Sequence, residues 1–271
     1  MTAPGATAVD TFRADGAVHL PGVVVAADLE ELCAAIERCR ATPGPHYGRL
    51  SPDDRPAVDS DLFRWFDDDG LRAFLFDSPM AALAAQLLGA DAVVLVEDQW
   101  FASAPGADTP SPWHQDGPYY NIDGAFLTLW LALDDAPADA ALRVVPGSHR
   151  WGRTFAPVEF ASSGSTFGGD GGLEPVPDSV HDRSTTRGWE VRAGDVIALD
   201  PLTLHSAGSA PVEDRWFRRL STRWAAPDAR YVDRGEQAAS FWRMLDHGRT
   251  TGDLLTCDTF PLVRPAGTPG R

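Results

Sequence analysis

Ser111-Pro-Trp-His-Gln-Asp-Gly-Pro-Tyr-Tyr120 is the stretch from which the fold and chemistry of this chain are read. In an extended backbone, successive side chains point to opposite faces. His114 and Asp116 therefore project together, and Gln115 projects the other way. An imidazole beside a carboxylate supplies two legs of a metal site. A third leg has to come from elsewhere.

Arg192-Ala-Gly-Asp-Val-Ile-Ala-Leu-Asp-Pro-Leu-Thr-Leu-His-Ser206 supplies a candidate. Gly194-Asp195 is a turn signal. Val196 to Leu199 is a buried-strand run, and His205 ends the segment after it. Two His and one carboxylate on one face of a metal, with other positions open, is the ligand set of non-haem Fe(II) oxygenases. The other five histidines, His19, His46, His149, His181 and His247, have no second ligand nearby in sequence. An isolated histidine is more often an ordinary core or surface residue. Asp116 and the downstream Gly-Asp…His segment reverse that reading for His114 and His205.

The motifs also occur in an order that resembles the phytanoyl-CoA dioxygenase family of Fe(II)/2-oxoglutarate-dependent oxygenases. The matching stretches are Glu97-Asp-Gln-Trp-Phe101, Trp113-His-Gln-Asp116, Leu129-Trp-Leu-Ala-Leu133, Arg143-Val-Val-Pro-Gly-Ser-His149, Gly194-Asp195 through His205-Ser206, and Arg218-Arg-Leu-Ser-Thr-Arg-Trp224. The resemblance covers most of the chain from about Val9 to Tyr231. A lone His-x-Asp is a weak signal; the ordered set is specific. The resemblance implies Fe(II) held by His114, Asp116 and His205, with 2-oxoglutarate and O2 as cosubstrates. Succinate and CO2 would be the co-products, and hydroxylation the outcome. Halogenating relatives replace the carboxylate ligand with a small residue, whereas Asp116 is retained. Desaturation, epimerisation or cyclisation on the same scaffold stays open.

The family holds the far carboxylate of 2-oxoglutarate with an Arg on the strand after the second metal His. A guanidinium matches a carboxylate with two hydrogen bonds. Arg215, Arg218 and Arg219 are the candidates. Strand alternation puts Arg219 with Phe217, Ser221 and Arg223, and Arg218 with Leu220, Thr222 and Trp224. Arg219 and Ser221 offer a guanidinium and a hydroxyl on one face, so Arg219 ranks first, Arg215 next and Arg218 third. Gln99 and Thr128 resemble positions that help hold the cosubstrate; each also reads as an ordinary core polar group. Trp113, Tyr119, Tyr120 and Trp130 read as substrate-pocket lining or as core.

Composition sets the outer limits. A chain of 271 residues with 44% hydrophobic content can bury one sizeable core. We expect a single dioxygenase domain over residues 1–271. The net charge of −16 repels phosphate backbones and anionic membranes, so neither nucleic acid nor membrane is an expected partner. No apolar run spans a bilayer and no signal peptide is legible. Cys33, Cys39 and Cys257 form no paired framework, which fits a reducing cytoplasm.

Along the chain, Val9 to Gly22 reads as a short alternating strand. A helix follows, with Asp28 and Glu31 as a capping box and Leu29, Leu32, Cys33 and Ile36 as its buried face. Residues 41–56 read as loop. Ser78-Pro79 starts a second helix and Gly89 ends it. From Ala92 the chain reads as strands: Val93 to Phe101, the His114 segment, Ala125 to Leu133, Ala141 to Val145, Trp189 to Leu199 and Phe217 to Trp224. Ala125 to Leu133 lacks charge and reads as buried on both faces. Residues 151–187 read as a lid-like loop or a passive insertion. Residues 231–271 read as a loop-rich tail with a short helix near Ser240 to Asp246. With the resemblance, the expected fold is mainly β with flanking helices, a double-stranded β-helix or jelly roll.

Two rival functions share these residues. One is a zinc hydrolase or isomerase on the same two His and Asp; the Arg-rich strand after His205 argues against it. The other is a non-catalytic binding protein on this fold. The abundance of Ala, Gly, Pro, Arg and Asp over Lys and Asn looks like a high-GC bacterial genome. Bacterial members of the family act in specialised metabolism, so a free small-molecule substrate is expected. No residue selects its identity, and oligomeric state is not encoded in any legible motif.

Overall fold

The computed structural model describes residues 6–160, 172–208, 210–235, 242 and 245–265. Its centre is a large antiparallel sheet in the order β1-β9-β6-β11-β4-β3-β2. These strands are β1 (Ala17–Leu20), β2 (Gly48–Arg49), β3 (Val58–Leu62), β4 (Val93–Ser103), β6 (Phe126–Ala132), β9 (Val196–Leu199) and β11 (Phe217–Ala225). β13 (Leu262–Val263) adds to β4. A second antiparallel sheet holds β10 (His205–Ala207), β7 (Leu142–Val144) and β8 (Arg187–Gly188), and β5 (Ile122–Asp123) pairs with β12 (Arg230–Tyr231).

Side-chain alternation divides the large sheet into a helix-facing and a site-facing side. On β6, Leu127, Leu129 and Leu131 join the core under the helices, while Trp130 and Ala132 pack toward β7. On β11, Leu220 and Trp224 face the helices, and Arg219, Ser221 and Arg223 face the opposite side. Every residue of β6 is buried, as its unbroken apolar run requires. Among the described residues four helices cover the outer side: α1 (Ala6–Asp15), α2 (Ala26–Ala41), α3 (Asp69–Asp77) and α4 (Pro79–Leu88). Two sheets with a site between them and helices outside form the expected jelly roll. Among the described residues, no single helix is long and apolar enough to cross a membrane.

α4 follows its sequence signals: Ser78 caps Met80, Pro79 opens the first turn, and Gly89 closes it at φ +69°. Four expectations are corrected. Val9 to Gly22 is not one strand, because α1 occupies its first half and Gly16, at φ +72°, turns the chain into β1. α2 starts two residues before Asp28, with Val25 as N-cap and no side-chain cap, so the capping box does not form. Trp189 to Leu199 is strand only from Val196; Val191 makes a lone bridge to Ala136, and Gly194 turns at φ +95° with its backbone against Val24. The His114 segment is also no strand: His114 makes a single bridge to His205, and Asp116 is helical at φ −69° and ψ −37°.

Cys39 is buried and Cys33 half-buried on α2, and none of the three cysteines is bonded to another. Burial pushes the Cys39 thiol up to about 12. Of the lid-like segment, residues 161–171 lie outside the described residues. So does most of the expected helix near Ser240 to Asp246.

Candidate metal centre

Backbone hydrogen bonds set the spacing of the two histidines. His114 N donates to His205 O, and His205 N donates to His114 O, each at 3.0 Å. The rings lie 4.1 Å apart, centroid to centroid. Each Nδ1 faces a carbonyl, Pro112 O at 2.8 Å for His114 and Thr203 O at 2.9 Å for His205. A carbonyl only accepts, so each Nδ1 carries the proton and each Nε2 keeps a lone pair. Both Nε2 atoms lie 3.7 Å from Asp116 Oδ1. The three ligand atoms fall within 4.8 Å of one another, and all three residues are buried. A first-row metal bonds such atoms at roughly 2.1 Å, so a slight closure of this cluster could hold an ion.

The helical turn at Asp116 swings its carboxylate back over His114, which a continuous strand does not require. Thr128 then fixes its orientation, donating to Asp116 Oδ2 at 2.5 Å. Only Oδ1 faces the histidines. Burial alone would raise the Asp116 carboxyl, but the Arg223 charge, the two imidazoles alongside and the Thr128 bond hold it far below the usual carboxylate range. Burial, with His205 alongside, pushes His114 down to about 3. Both groups are thus in their metal-binding protonation states at neutral pH.

Arg223 is the site residue that carried no assignment in the sequence. Its Nη1 donates to Glu97 Oε1 at 2.9 Å and Gln99 Oε1 at 3.1 Å, and its Nη2 lies 3.6 Å from Asp116 Oδ1. Tyr120 also donates to Glu97, at 2.8 Å. Burial raises Glu97 to about 7 against the pull of Arg223 and Tyr120. The available signal was parity, since Arg223 shares a face with Arg219 and Ser221. Gln99 therefore sits between Arg223 and Ser60, to which its amide nitrogen donates. Thr128 contacts the carboxylate ligand.

The three candidate arginines separate cleanly. Arg215 is exposed and bonds Asp214 and the Asp135 carbonyl. Arg218 points to the helix side and pairs with Asp134 and Glu37. Arg219 is buried; its Nη1 donates to Ser103 Oγ at 2.7 Å and Phe217 O at 3.0 Å. Among the described residues no acidic side chain pairs with it, and burial alone lowers it to about 10. Arg219, Ser221, Arg223, Thr128, His114 and His205 line one inner cavity. Trp130 lines it too, whereas Tyr120 packs into a second core with Phe126, Trp242 and Phe260. Tyr119 stands edge-on to His114 at 5.8 Å.

Similarity to known proteins agrees with this geometry. SnoN, an α-ketoglutarate-dependent epimerase from nogalamycin biosynthesis, is 25% identical with a TM-score of 0.75, over 95% of this chain and 97% of SnoN. It has also been solved with Fe3+, α-ketoglutarate and nogalamycin RO. SnoK, a carbocyclase from the same biosynthesis, is 23% identical with a TM-score of 0.75, over 96% of each chain. EctD from S. alaskensis, solved with 2-oxoglutarate and 5-hydroxyectoine, is 18% identical with a TM-score of 0.63, over 84% of this chain and 79% of EctD. The last two likenesses show the fold. No curated protein sequence matches. The profile of the phytanoyl-CoA dioxygenase (PhyH) family matches residues 12–219, and the chain belongs to that family.

Proposed function

We propose that the chain is an Fe(II)- and 2-oxoglutarate-dependent oxygenase that hydroxylates a small molecule. The observation that carries this reading is Arg219 in the same cavity as the His114, Asp116 and His205 cluster. A buried cation without a counter-charge is costly to keep. A dicarboxylate bound at the metal would supply that counter-charge, with Arg219 and Ser221 receiving its far end. A zinc hydrolase has no use for such a group. Iron with 2-oxoglutarate and O2 supplies an oxidant for unactivated carbon, releasing succinate and CO2.

The chain's own residues do the positioning. His114 and His205 present Nε2, and their carbonyl partners hold the rings. Asp116 presents Oδ1, with Thr128 occupying Oδ2. Phe101 and Trp130 give the inner cavity apolar walls, which keep water from the reacting centre. A second reading, epimerisation, draws support from the likeness to SnoN along almost its full length.

The test uses protein kept free of O2. Fe(II) and 2-oxoglutarate should together produce a visible iron-to-keto-acid absorption band, and air should then yield succinate. Asp116→Ala should show neither. Absence of any iron-dependent 2-oxoglutarate binding would overturn the reading in favour of a zinc enzyme or a binding protein.

A further inference from the structure

The inner cavity opens toward a second, much larger chamber. The inner one measures about 60 Å³ and the outer one about 1030 Å³. Leu50, Thr109, Pro110, Ser111, Phe160 and Ala207 border both, so the two communicate beside the histidines. Phe160 stands edge-on to His114 at 4.7 Å and forms one side of this passage. The outer volume lies at the top of the range that encloses drug-sized ligands. It far exceeds what an amino acid fills.

The chemistry of the outer wall is mainly apolar. Leu50, Trp113, Val158, Phe160, Val176 and Val180 contribute to it. Three of its charged groups engage one another. Asp139 Oδ1 accepts from Arg143 at 3.1 Å and from Arg183 at 2.8 Å, and Arg143 also donates to Thr186. Among the described wall residues, two guanidiniums stand beside two carboxylates, Asp139 and Glu159, and the His181 imidazole. Among its described residues this wall carries no guanidinium or ammonium in excess of its carboxylates to meet phosphates, and the chain as a whole carries a charge of −16.

We infer that the substrate is a bulky, largely apolar molecule without net charge, held in the outer chamber with its reacting carbon turned past Phe160 toward His114 and His205. An amino acid would leave most of the wall wet. A coenzyme A or carrier-protein thioester would bring phosphates to a wall whose described residues offer no guanidinium beyond those balanced by carboxylates. The inference rests on the oxygenase reading in taking this chamber as the substrate's, but binding can be measured without iron.

Calorimetric titrations of the full chain, metal-free and again with Fe(II) and 2-oxoglutarate under nitrogen, would test it. Testosterone and naringenin serve as neutral polycyclic probes, with small zwitterionic proline and anionic acetyl-coenzyme A as contrasts. At least one polycycle should bind in the micromolar range with a negative heat-capacity change, the mark of apolar burial. Proline and acetyl-coenzyme A should bind at least about tenfold more weakly, or roughly 1.4 kcal/mol. Val176→Trp, which narrows the chamber, should weaken polycycle binding, and Val176→Ala should retain it. Tighter binding of proline or acetyl-coenzyme A, or no polycycle binding below millimolar, overturns the inference. A normal iron-to-keto-acid band with no polycycle binding rejects this inference alone. Polycycle binding with no band rejects the oxygenase reading alone.

Discussion

Arg223 brings Nη2 to within 3.6 Å of Asp116 Oδ1 while its Nη1 is held at 2.9 Å by Glu97. The cation is shared between a carboxylate that faces the metal site and one that does not. Removing it leaves Glu97 buried without its counter-charge. Arg223→Met should cost about 3 kcal/mol of stability. Adding Glu97→Gln to that variant should restore much of the loss. Urea denaturation of the two variants beside the wild type would check it.

Thr128 bonds the Asp116 oxygen that faces away from the histidines. Thr128→Val keeps the shape and removes the hydroxyl. Supporting groups of this kind typically set metal affinity by roughly 10–100-fold. The variant should therefore bind Fe(II) more weakly by that factor, with 2-oxoglutarate affinity falling only as occupancy of the metal falls. Anaerobic competition against a metal-sensitive dye would measure it.

Arg219 gives a contrast between function and stability. Arg219→Gln removes a charge-assisted bond worth about 1.5–3 kcal/mol, so 2-oxoglutarate binding should weaken about ten- to a hundredfold. The same change removes a buried cation without an acidic partner, so the free protein should melt at a higher temperature. A lower Tm together with unchanged 2-oxoglutarate affinity would contradict both halves. Arg215→Ala and Arg218→Ala, which alter side chains outside the cavity, should leave 2-oxoglutarate affinity as it is.

Asp98 makes a pH prediction. Burial raises its carboxyl to about 7; Glu97 adds to the rise, and the Trp65 and Arg64 amides oppose it. The folded chain therefore holds this proton more firmly than the unfolded chain does. Stability from this group is full below the ordinary carboxylate range and is lost as pH climbs through about 7. His114 acts in the opposite sense, because its folded value of about 3 lies below the unfolded one. Comparing wild type with Asp98→Asn cancels the histidine. The wild-type advantage should shrink between about pH 5 and about pH 7.5, by up to about 1.4 kcal/mol per pH unit. Denaturation curves at the two pH values decide it.

Much of this arrangement is legible in the sequence because strands and caps obey short-range rules. The alternation along Phe217 to Trp224 separates Arg219 from Arg218, and the structure puts them on opposite sides of β11. Ser78 and Gly89 mark both ends of α4. The failures have equally local causes. Ala6 to Asp15 lacks a strong apolar stripe, so a few apolar residues around Gly16 pass for a strand. At Asp116, His-x-Asp gives the right pair for the wrong reason: a helical turn, not strand alternation, brings the side chains together. Arg223 has no sequence signal of its own because Glu97 reaches it only through the sheet register and Asp116 comes from a turn outside the sheet.

The two reciprocal amide bonds between His114 and His205 mean that the distance between the imidazoles is written in main chain rather than in side chains. Substitutions around the centre can change what enters without changing that distance. The wall of the outer chamber comes from other stretches, among them Val158, Phe160, Val176 and Val180. A lineage built on this frame can exchange its substrate by rewriting those stretches while inheriting the reactive centre intact.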